Sequence, residues 1–476
     1  TRSHISFGHQ IKQITLFNDY YFTPIYSKYL AFSIHELIRK NKYGIYNIVS
    51  NEKLSKFQFA SIFLKYLNIK TNLIEISKIK KHKFKAKRCV NLSLSNNKLK
   101  KNVSLKIPTI QNQIKEFIKN DKSIKSILSK KIPYGKHSIN KIDISNVVRV
   151  LNSGSLTQGV YIKNVEKKIA NYLGVKYAVA VSSATAGLHI SYIALGVNEY
   201  KKIVTSPNTF VSTGNSAFFC RSKPVFSDIS FDNLNLNLQA LSMTIKNDKK
   251  IKVVVPVHFG GLATNMKEIS KLAKKKKLYI VEDASHAFGA RYECGSKVGS
   301  CKYSDLSVFS FHPVKIIAGG EGGIVTTNNK NLYEKLLDLR SHGIKKNPKT
   351  IINKKNGYTK NKRNLWYYEM DKLGYNYRQT EIHCGLIDSQ VDRIDKFLEK
   401  RKKLALRYDR LLAKYDFIKS FQAGERTNSS NHLYILNINF KNINMNRNNF
   451  MTRLRDHNII SQVHYIPVPI QPYYNN

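Results

Sequence analysis

Residues Tyr303 to Val325, YSDLSVFSFHPVKIIAGGEGGIV, set the reading of the whole chain. The run Leu306–Phe311 is rich in β-branched and aromatic residues and predicts a strand. It leads to a single lysine, Lys315, and then to Gly319, Gly320, Gly322 and Gly323, the composition of a tight turn. A lysine held among apolar residues loses hydration, which lowers its pKa and makes the amine a nucleophile toward aldehydes. In so lysine-rich a chain, a lone lysine is ordinarily a solvated surface charge. Ser310, five residues earlier, and the glycines, which let backbone approach closely, favour an anchored lysine at a cofactor.

Upstream the pattern is one of short apolar runs between helical segments. Tyr177–Val181 (YAVAV) precedes SSATAGLH (Ser182–His189), Ile203–Phe210 ends in a turn at Pro207, and VVVPV (Val253–Val257) and LYIV (Leu278–Val281) come after. Such runs predict a mostly parallel sheet sandwiched by helices, an α/β fold. EDASHAFG (Glu282–Gly289) then places Asp283 at the C-terminal end of a strand, where α/β sheets collect ligand-binding groups. A strand-end aspartate is otherwise a helix cap, and the Ser and Thr residues near Ala184 and Thr185 also suit an ordinary helix start. Phe210 and His286 read equally well as core residues, and Tyr134 and Thr157 as surface or turn groups.

SFHPVK followed by GEGG resembles the lysine motif of the DegT/DnrJ/EryC1/StrS sugar-nucleotide aminotransferases, and the resemblance runs from about Ile132 to the end of the chain. It implies a fold-type-I transferase carrying pyridoxal 5′-phosphate (PLP), with a small α+β domain after the large one. It assigns Lys315 as the lysine that attaches the cofactor and moves the proton, and Asp283 as partner of the pyridine nitrogen. Ala184 and Thr185 then hold the phosphate, Phe210 stacks on the ring, His286 faces the phenolic oxygen, and Ser310 completes the set. Asn376, within GYNYR, matches the asparagine that reaches the PLP phosphate of a neighbouring subunit, so a homodimer with shared active sites is implied. Tyr134 and Thr157 fall near the sugar nucleotide, and Arg378 is the first arginine to test for the donor carboxylate. The branch most like this chain aminates C4 of a UDP-4-keto-6-deoxy-N-acetyl-hexosamine in pseudaminic acid synthesis, with glutamate as donor. Rival readings are another nucleotide-sugar aminotransferase or PLP-dependent sugar-modifying enzyme of the family, and a truncated, non-catalytic PLP binder. Dehydratases of the family carry histidine in place of the lysine, against which Lys315 stands.

Residues 1–119 form a separate unit. Ile34–Ile38 and Phe57–Leu67 have helical spacing and Gly44–Val49 alternates like a strand. DYYFTPIYSKYLA, GIYNIVSNEKLSKFQFA and RCVNLSLSNNKL resemble the C-terminal substrate half of an extended short-chain dehydrogenase of the dTDP-4-dehydrorhamnose-reductase kind. The nucleotide-binding first half of such enzymes, with its glycine-rich phosphate loop and its catalytic tyrosine and lysine, is not among the residues that carry the resemblance, so no dehydrogenase activity is expected. A Lys- and Ser-rich linker, 120–131, precedes the large domain, 132–374, and the small domain, 375–476. In the small domain a strand is expected at His432–Phe440 and a helix at Asn448–Asp456, while Gln462–Tyr474 resembles a strand and loop of the family. That domain is expected to lack its last strand and helix.

The formal charge of +49 raises a nucleic-acid partner. The excess is spread along the chain, +21 in residues 1–131 and +28 in the rest, and accompanies abundant Asn and Ile, which points to biased coding. The basic run Lys78–Arg88 has little aromatic interleaving for base stacking, so no nucleic-acid partner is expected. Five cysteines without a C-x-x-C pair read as reduced thiols, not a zinc site or disulfide frame. With no signal peptide and no apolar run of membrane-spanning length, a cytoplasmic protein without membrane contact is expected.

Overall fold

The computed structural model describes residues 14–67, 74–79, 89–121 and 131–475, in two compact units, Thr1–Ile132 and Pro133–Asn476. Most of the expected linker (122–130) and of the basic run (80–88) lies outside the described residues.

In the first unit β1 (Ile14–Phe17) pairs in parallel with β4 (Ile74–Ser77). β2 (Tyr21–Phe22) lies between β3 (Leu54–Ser55) and β5 (Asn91–Leu92). Helices α1 (Ser27–Arg39), α2 (Lys56–Tyr66), α3 (Asn97–Asn102) and α4 (Ile110–Asn120) complete it. α2 starts on a capping box in which Ser55 and Gln58 satisfy each other's backbone N–H groups. The strand expected at Gly44–Val49 is not formed. Tyr46 and Ile48 do pack on Leu37, Leu99 and Val103, which produced the alternation. The backbone there meets side chains instead of a ladder, with Lys98 Nζ donating to the Ile45 carbonyl at 3.0 Å.

The second unit is built on a seven-stranded sheet with the strands β6 (Tyr177–Val181), β7 (Lys202–Thr205), β8 (Val225–Phe226), β9 (Ile251–Val255), β10 (Tyr279–Asp283), β11 (Leu306–Ser310) and β12 (Gly323–Thr327). Their order is β6-β12-β11-β10-β9-β7-β8, with β12 antiparallel to both neighbours and the other pairs parallel. Alternation along the strands feeds two cores. Val179, Val181, Ile203, Val253, Val281 and Val308 pack under α7 (Ala184–Ala194) and α11 (Lys330–Arg340). Ala180, Val204, Val254, Ile280 and Phe309 face α6 (Val160–Leu173), α9 (Leu238–Asn247), α10 (Met266–Lys276) and α12 (Glu381–Val391), with α5 (Lys141–Leu151) packed on α12. Each such fully buried aliphatic side chain contributes about 1.5–3 kcal/mol, so the sheet is stiff enough to fix the groups at its edge.

One close approach makes that edge specific. A Cβ on Gly323 would lie 2.7 Å from the amide nitrogen of Ala184 and 2.8 Å from the Phe309 carbonyl oxygen, both backbone atoms that cannot swing away. Gly323→Ala is therefore expected to destabilise the unit by about 1–3 kcal/mol, measured by chemical unfolding, while prying the start of α7 from β12. Beyond the sheet, RSHG and GYNYR touch backbone to backbone: a Cβ on Gly343 would stand 2.0 Å from the Lys372 carbonyl oxygen, and one on Gly374 2.1 Å from the Gly343 nitrogen.

Helix α13 (Ile394–Leu412) crosses to a small region holding β13 (Ile418–Ser420), β14 (Leu436–Ile438) and α14 (Arg447–Asp456). The strand expected over His432–Phe440 is confined to Leu436–Ile438, because the preceding residues clip to other elements: Leu433 N donates to Gly260 O at 3.1 Å. Gln462–Tyr474 contains no strand, only 3₁₀ turns at Val468–Ile470 and Pro472–Tyr474. The segment is held by the loop after β7, with Val468 N donating to Pro207 O at 2.9 Å and Tyr465 N to Asn208 Oδ1 at 3.2 Å.

Candidate active site

Because β6, β7, β10 and β11 run the same way, the turns and helix starts at their C-terminal ends meet at one edge of the sheet. A cavity of about 410 Å³ opens there, lined by Tyr134, Ser183–Thr185, Phe210, Asp283, His286, Ser310 and Lys315 among others. It gathers eight of the eleven residues singled out from sequence. A larger cavity, about 610 Å³, lies along α6 and the start of β6 and includes neither Lys315 nor Asp283.

Lys315 sits in the turn after β11, with its amide donating to the His312 carbonyl at 2.8 Å. Burial lowers the amine's pKa from 10.5 to about 8, partly opposed by the Asp283 charge. At neutral pH roughly a tenth of it is unprotonated, against a negligible fraction for a surface lysine. In the cofactor-free protein, amine-specific labelling of Lys315 is expected to reach half its maximal rate near pH 8, with surface lysines responding about two units higher. The folded pKa lies below the unfolded one, so the unfolded chain binds more protons between about 8 and 10.5, and stability rises with pH across that window. Below pH 8 the buried charge costs about 3 kcal/mol. Lys315→Met is thus expected to stabilise the cofactor-free protein at pH 7 and to lose that advantage as pH climbs past 10, a difference that chemical unfolding at the two pH values measures.

Asp283 is buried, 4 % exposed, at the end of β10. Its Oδ2 accepts from the Thr213 hydroxyl at 2.6 Å, and its Oδ1 from the Ser285 hydroxyl at 2.6 Å and amide at 3.2 Å. Thr213, from helix α8 (Ser212–Phe219), is itself bonded to Thr209 at 2.8 Å. Oδ1 thus already accepts twice, whereas Oδ2 can still accept a further donor, the state needed to pair with a protonated ring nitrogen.

α7 begins beside the cavity, with Ser183 capping it by accepting from Ala186 N at 3.1 Å. The first amides of a helix have no intrahelical acceptor, and Ala184 and Thr185 bring that anion-binding end to the cavity wall. Phe210 is 56 % exposed at the cavity wall and available to cover a flat ligand. Gly260 N donates to His286 Nδ1 at 3.4 Å, which leaves Nε2 protonated and donating to the Tyr465 hydroxyl at 3.1 Å. Burial holds His286 well below its usual pKa, with Lys315 and His464 adding to the effect, so its ring is neutral. This donor set fits PLP: amides for a phosphate, a carboxylate for the pyridine nitrogen, an amine for the aldehyde and an aromatic face for the ring.

Asn376, Arg378 and Thr157 stand elsewhere. Residues 376–380 run beside the sheet, where Asn376 bridges Ser341, Arg378 bridges Val181 and Thr380 bridges Thr157. Asn376 and Thr157 are exposed, and Arg378 lines the larger cavity. Gln379 ties this run to the lysine turn, donating to the Glu321 carbonyl at 2.7 Å. Four further residues at the cavity or its aspartate, Thr213, Ser285, His464 and Tyr465, are not singled out by sequence reading. Burial, reinforced by Lys315, drops His464 to about 4, and its Nε2 lies 2.7 Å from the Tyr134 hydroxyl. The available signal for these last two was a His-Tyr pair within the Pro-rich stretch QVHYIPVP.

Residues 137–476 match the profile of the DegT/DnrJ/EryC1/StrS aminotransferase family, and residues 5–123 that of the RmlD substrate binding domain. The UDP-4-amino-4,6-dideoxy-N-acetyl-beta-L-altrosamine transaminase of Campylobacter jejuni is 38% identical over 337 residues, 71% of this chain and 84% of that protein. The spore coat polysaccharide biosynthesis protein SpsC of Bacillus subtilis is 34% identical over 344 residues, 72% of this chain and 85% of its own. Among solved structures, Helicobacter pylori PseC, an aminotransferase involved in the biosynthesis of pseudoaminic acid, superposes with a TM-score of 0.65 at 31% identity, over 73% of this chain and 88% of PseC. A sugar aminotransferase of Streptococcus pneumoniae, solved in PLP and PMP forms, reaches 0.63 and 0.64 at 27% identity, over 72% of this chain and 87% and 88% of that one. With its lysine and aspartate at one sheet edge and its profile match over most of its length, this chain belongs to the DegT/DnrJ/EryC1/StrS family of PLP-dependent aminotransferases.

Proposed function

We propose that the chain moves an amino group from glutamate to C4 of a UDP-4-keto-6-deoxy-N-acetyl-hexosamine, as in nucleotide-sugar synthesis of the pseudaminic acid type. The observation that carries this reading is the convergence of a desolvated Lys315 amine, a buried Asp283 and the start of α7 on one cavity. The names of the Campylobacter and Helicobacter relatives support the sugar.

PLP, when bound, supplies the electron sink that lets the donor α-carbon lose its proton. Ala184 and Thr185 would hold its phosphate, Phe210 would cover its ring, and Ser310 and neutral His286 would complete the wall around it. Asp283, steadied by Thr213 and Ser285, would keep the ring nitrogen protonated. Lys315 Nζ, unprotonated in useful proportion near neutral pH, accepts a proton from the donor α-carbon and returns one to the product side. Tyr134 borders the sugar.

Asn376, Thr157 and Arg378, exposed or at the neighbouring cavity, serve the site of a second copy in a homodimer with shared active sites. The organisation we propose is a first unit over 1–119, a linker at 120–131, a PLP-binding large domain over 132–374 and a small domain over 375–476, in a cytoplasmic enzyme. Among the described residues no helix is long and apolar enough to cross a membrane, and all five cysteines are free.

An absorption spectrum of the purified chain with PLP, before and after glutamate, tests the reading. A visible band that requires Lys315 and bleaches with glutamate is expected. A protein with no such band is not a transaminase.

A further inference from the structure

Four arginines of the second unit are largely buried, and three have carboxylate partners: Arg340 with Glu166 and Arg393 with Asp143, each at 2.6 Å, and Arg426 with Asp409 at 2.9 Å. The fourth, Arg401 on α13, donates from Nη1 to the carbonyl oxygens of Asn431 at 3.3 Å and His432 at 3.2 Å, and no carboxylate pairs with it among the described residues. A guanidinium withdrawn from water without an anion is costly, and cannot shed its proton to escape the cost. Burial does press its pKa down, with the Tyr134 hydroxyl opposing.

Its position links it to the lysine cavity. The His432 ring lies 4.6 Å from that of His286, a wall of the cavity, and the Arg401 charge is felt by both His432 and Tyr134. Lys315, His286, His432 and His464 crowd the same region, and the carboxylates on the cavity wall are Asp283, already engaged by Thr213 and Ser285, and Glu321. Burial holds the three histidines neutral, so Arg401 is the fixed cation of this region that no carboxylate pairs with among the described residues.

Resting on the transaminase reading above, we propose that Arg401 receives an anionic oxygen group of a substrate, the carboxylate of the dicarboxylic amino donor or the diphosphate of the sugar nucleotide, through the fork left free by its two carbonyl contacts. Planar bidentate pairing with carboxylate or phosphate is what a pre-positioned guanidinium does best.

Calorimetric titration of the full-length, PLP-loaded protein with glutarate and, separately, with UDP tests this, comparing Arg401→Gln, which keeps a donor for the two carbonyls, with the unmutated chain. A loss of about tenfold or more in glutarate affinity with UDP unchanged assigns the donor carboxylate; the reverse assigns the phosphate. Both affinities unchanged in a variant of undiminished melting temperature overturns the proposal and leaves Arg401 a clip for the 431–432 backbone. Phenylglyoxal modification of Arg401 in the unmutated chain, located by mass spectrometry, avoids any folding defect: protection by either probe supports the proposal, and protection by neither overturns it. A missing Lys315-dependent band would sink the transaminase reading; a band together with Arg401-independent binding sinks only this inference.

Discussion

Lys315→Ala is expected to lower turnover by at least ~10⁴-fold and to remove the visible band, while the melting temperature of the cofactor-free protein stays or rises. The amine has two duties, holding the cofactor and moving the proton, and no other amine borders the cavity among the described residues. Lys315→Arg is expected to fare no better, since a guanidinium stays protonated at every accessible pH. Stopped-flow spectra with glutamate separate the two duties, because cofactor held non-covalently by α7 and Asp283 still absorbs, though at another wavelength. Turnover within tenfold of the unmutated chain would refute the assignment.

The second large effect is expected at Asp283. Asp283→Asn preserves the shape and the hydrogen bond from Thr213 or Ser285 but removes the negative charge, so the ring nitrogen has no reason to keep its proton. The expected loss is about 10²–10³ in kcat, the scale of removing one preorganised electrostatic partner, with KM for the sugar nucleotide little changed. Thr213→Val probes the same carboxylate more gently. It deletes the 2.6 Å donor, and about tenfold is expected from an aspartate less firmly aimed. An Asp283→Asn enzyme as fast as the original would mean that the carboxylate is a helix cap and nothing more.

Much of this site was legible because its parts sit in local contexts with local consequences. The run into Lys315, the strand-end Asp283 and the small residues at Ala184 each announce themselves within a short stretch of chain. The residues that escaped are those that only the tertiary fold brings near. Thr213 lies 70 residues from Asp283, and His464 meets Tyr134 across 330. Neither pairing has a periodicity to betray it. Gly44–Val49 failed as a strand for the complementary reason: alternation reports which side chains are buried, not whether the backbone has a ladder partner. GYNYR stands out as a motif in the sequence, whereas the reason for its glycine, the close approach of the Gly374 and Gly343 backbones, was visible only in the structure.

The placement of β12 bears on how such a chain reaches its native state. Among the described residues β6 is an outer strand whose ladder partner in the sheet is β12, and Tyr177 pairs with Thr327, far along the chain. Pairings so distant in sequence are slow, because loop-closure entropy is lost before any contact returns it. During synthesis on a ribosome, β6 and the helix after it must wait, with an open edge, until the strand beyond the lysine turn has emerged. The same event that closes the sheet brings Gly323 against Ala184. Cofactor affinity should consequently appear in one late step during refolding, together with the last of the native ladder, and not build up gradually.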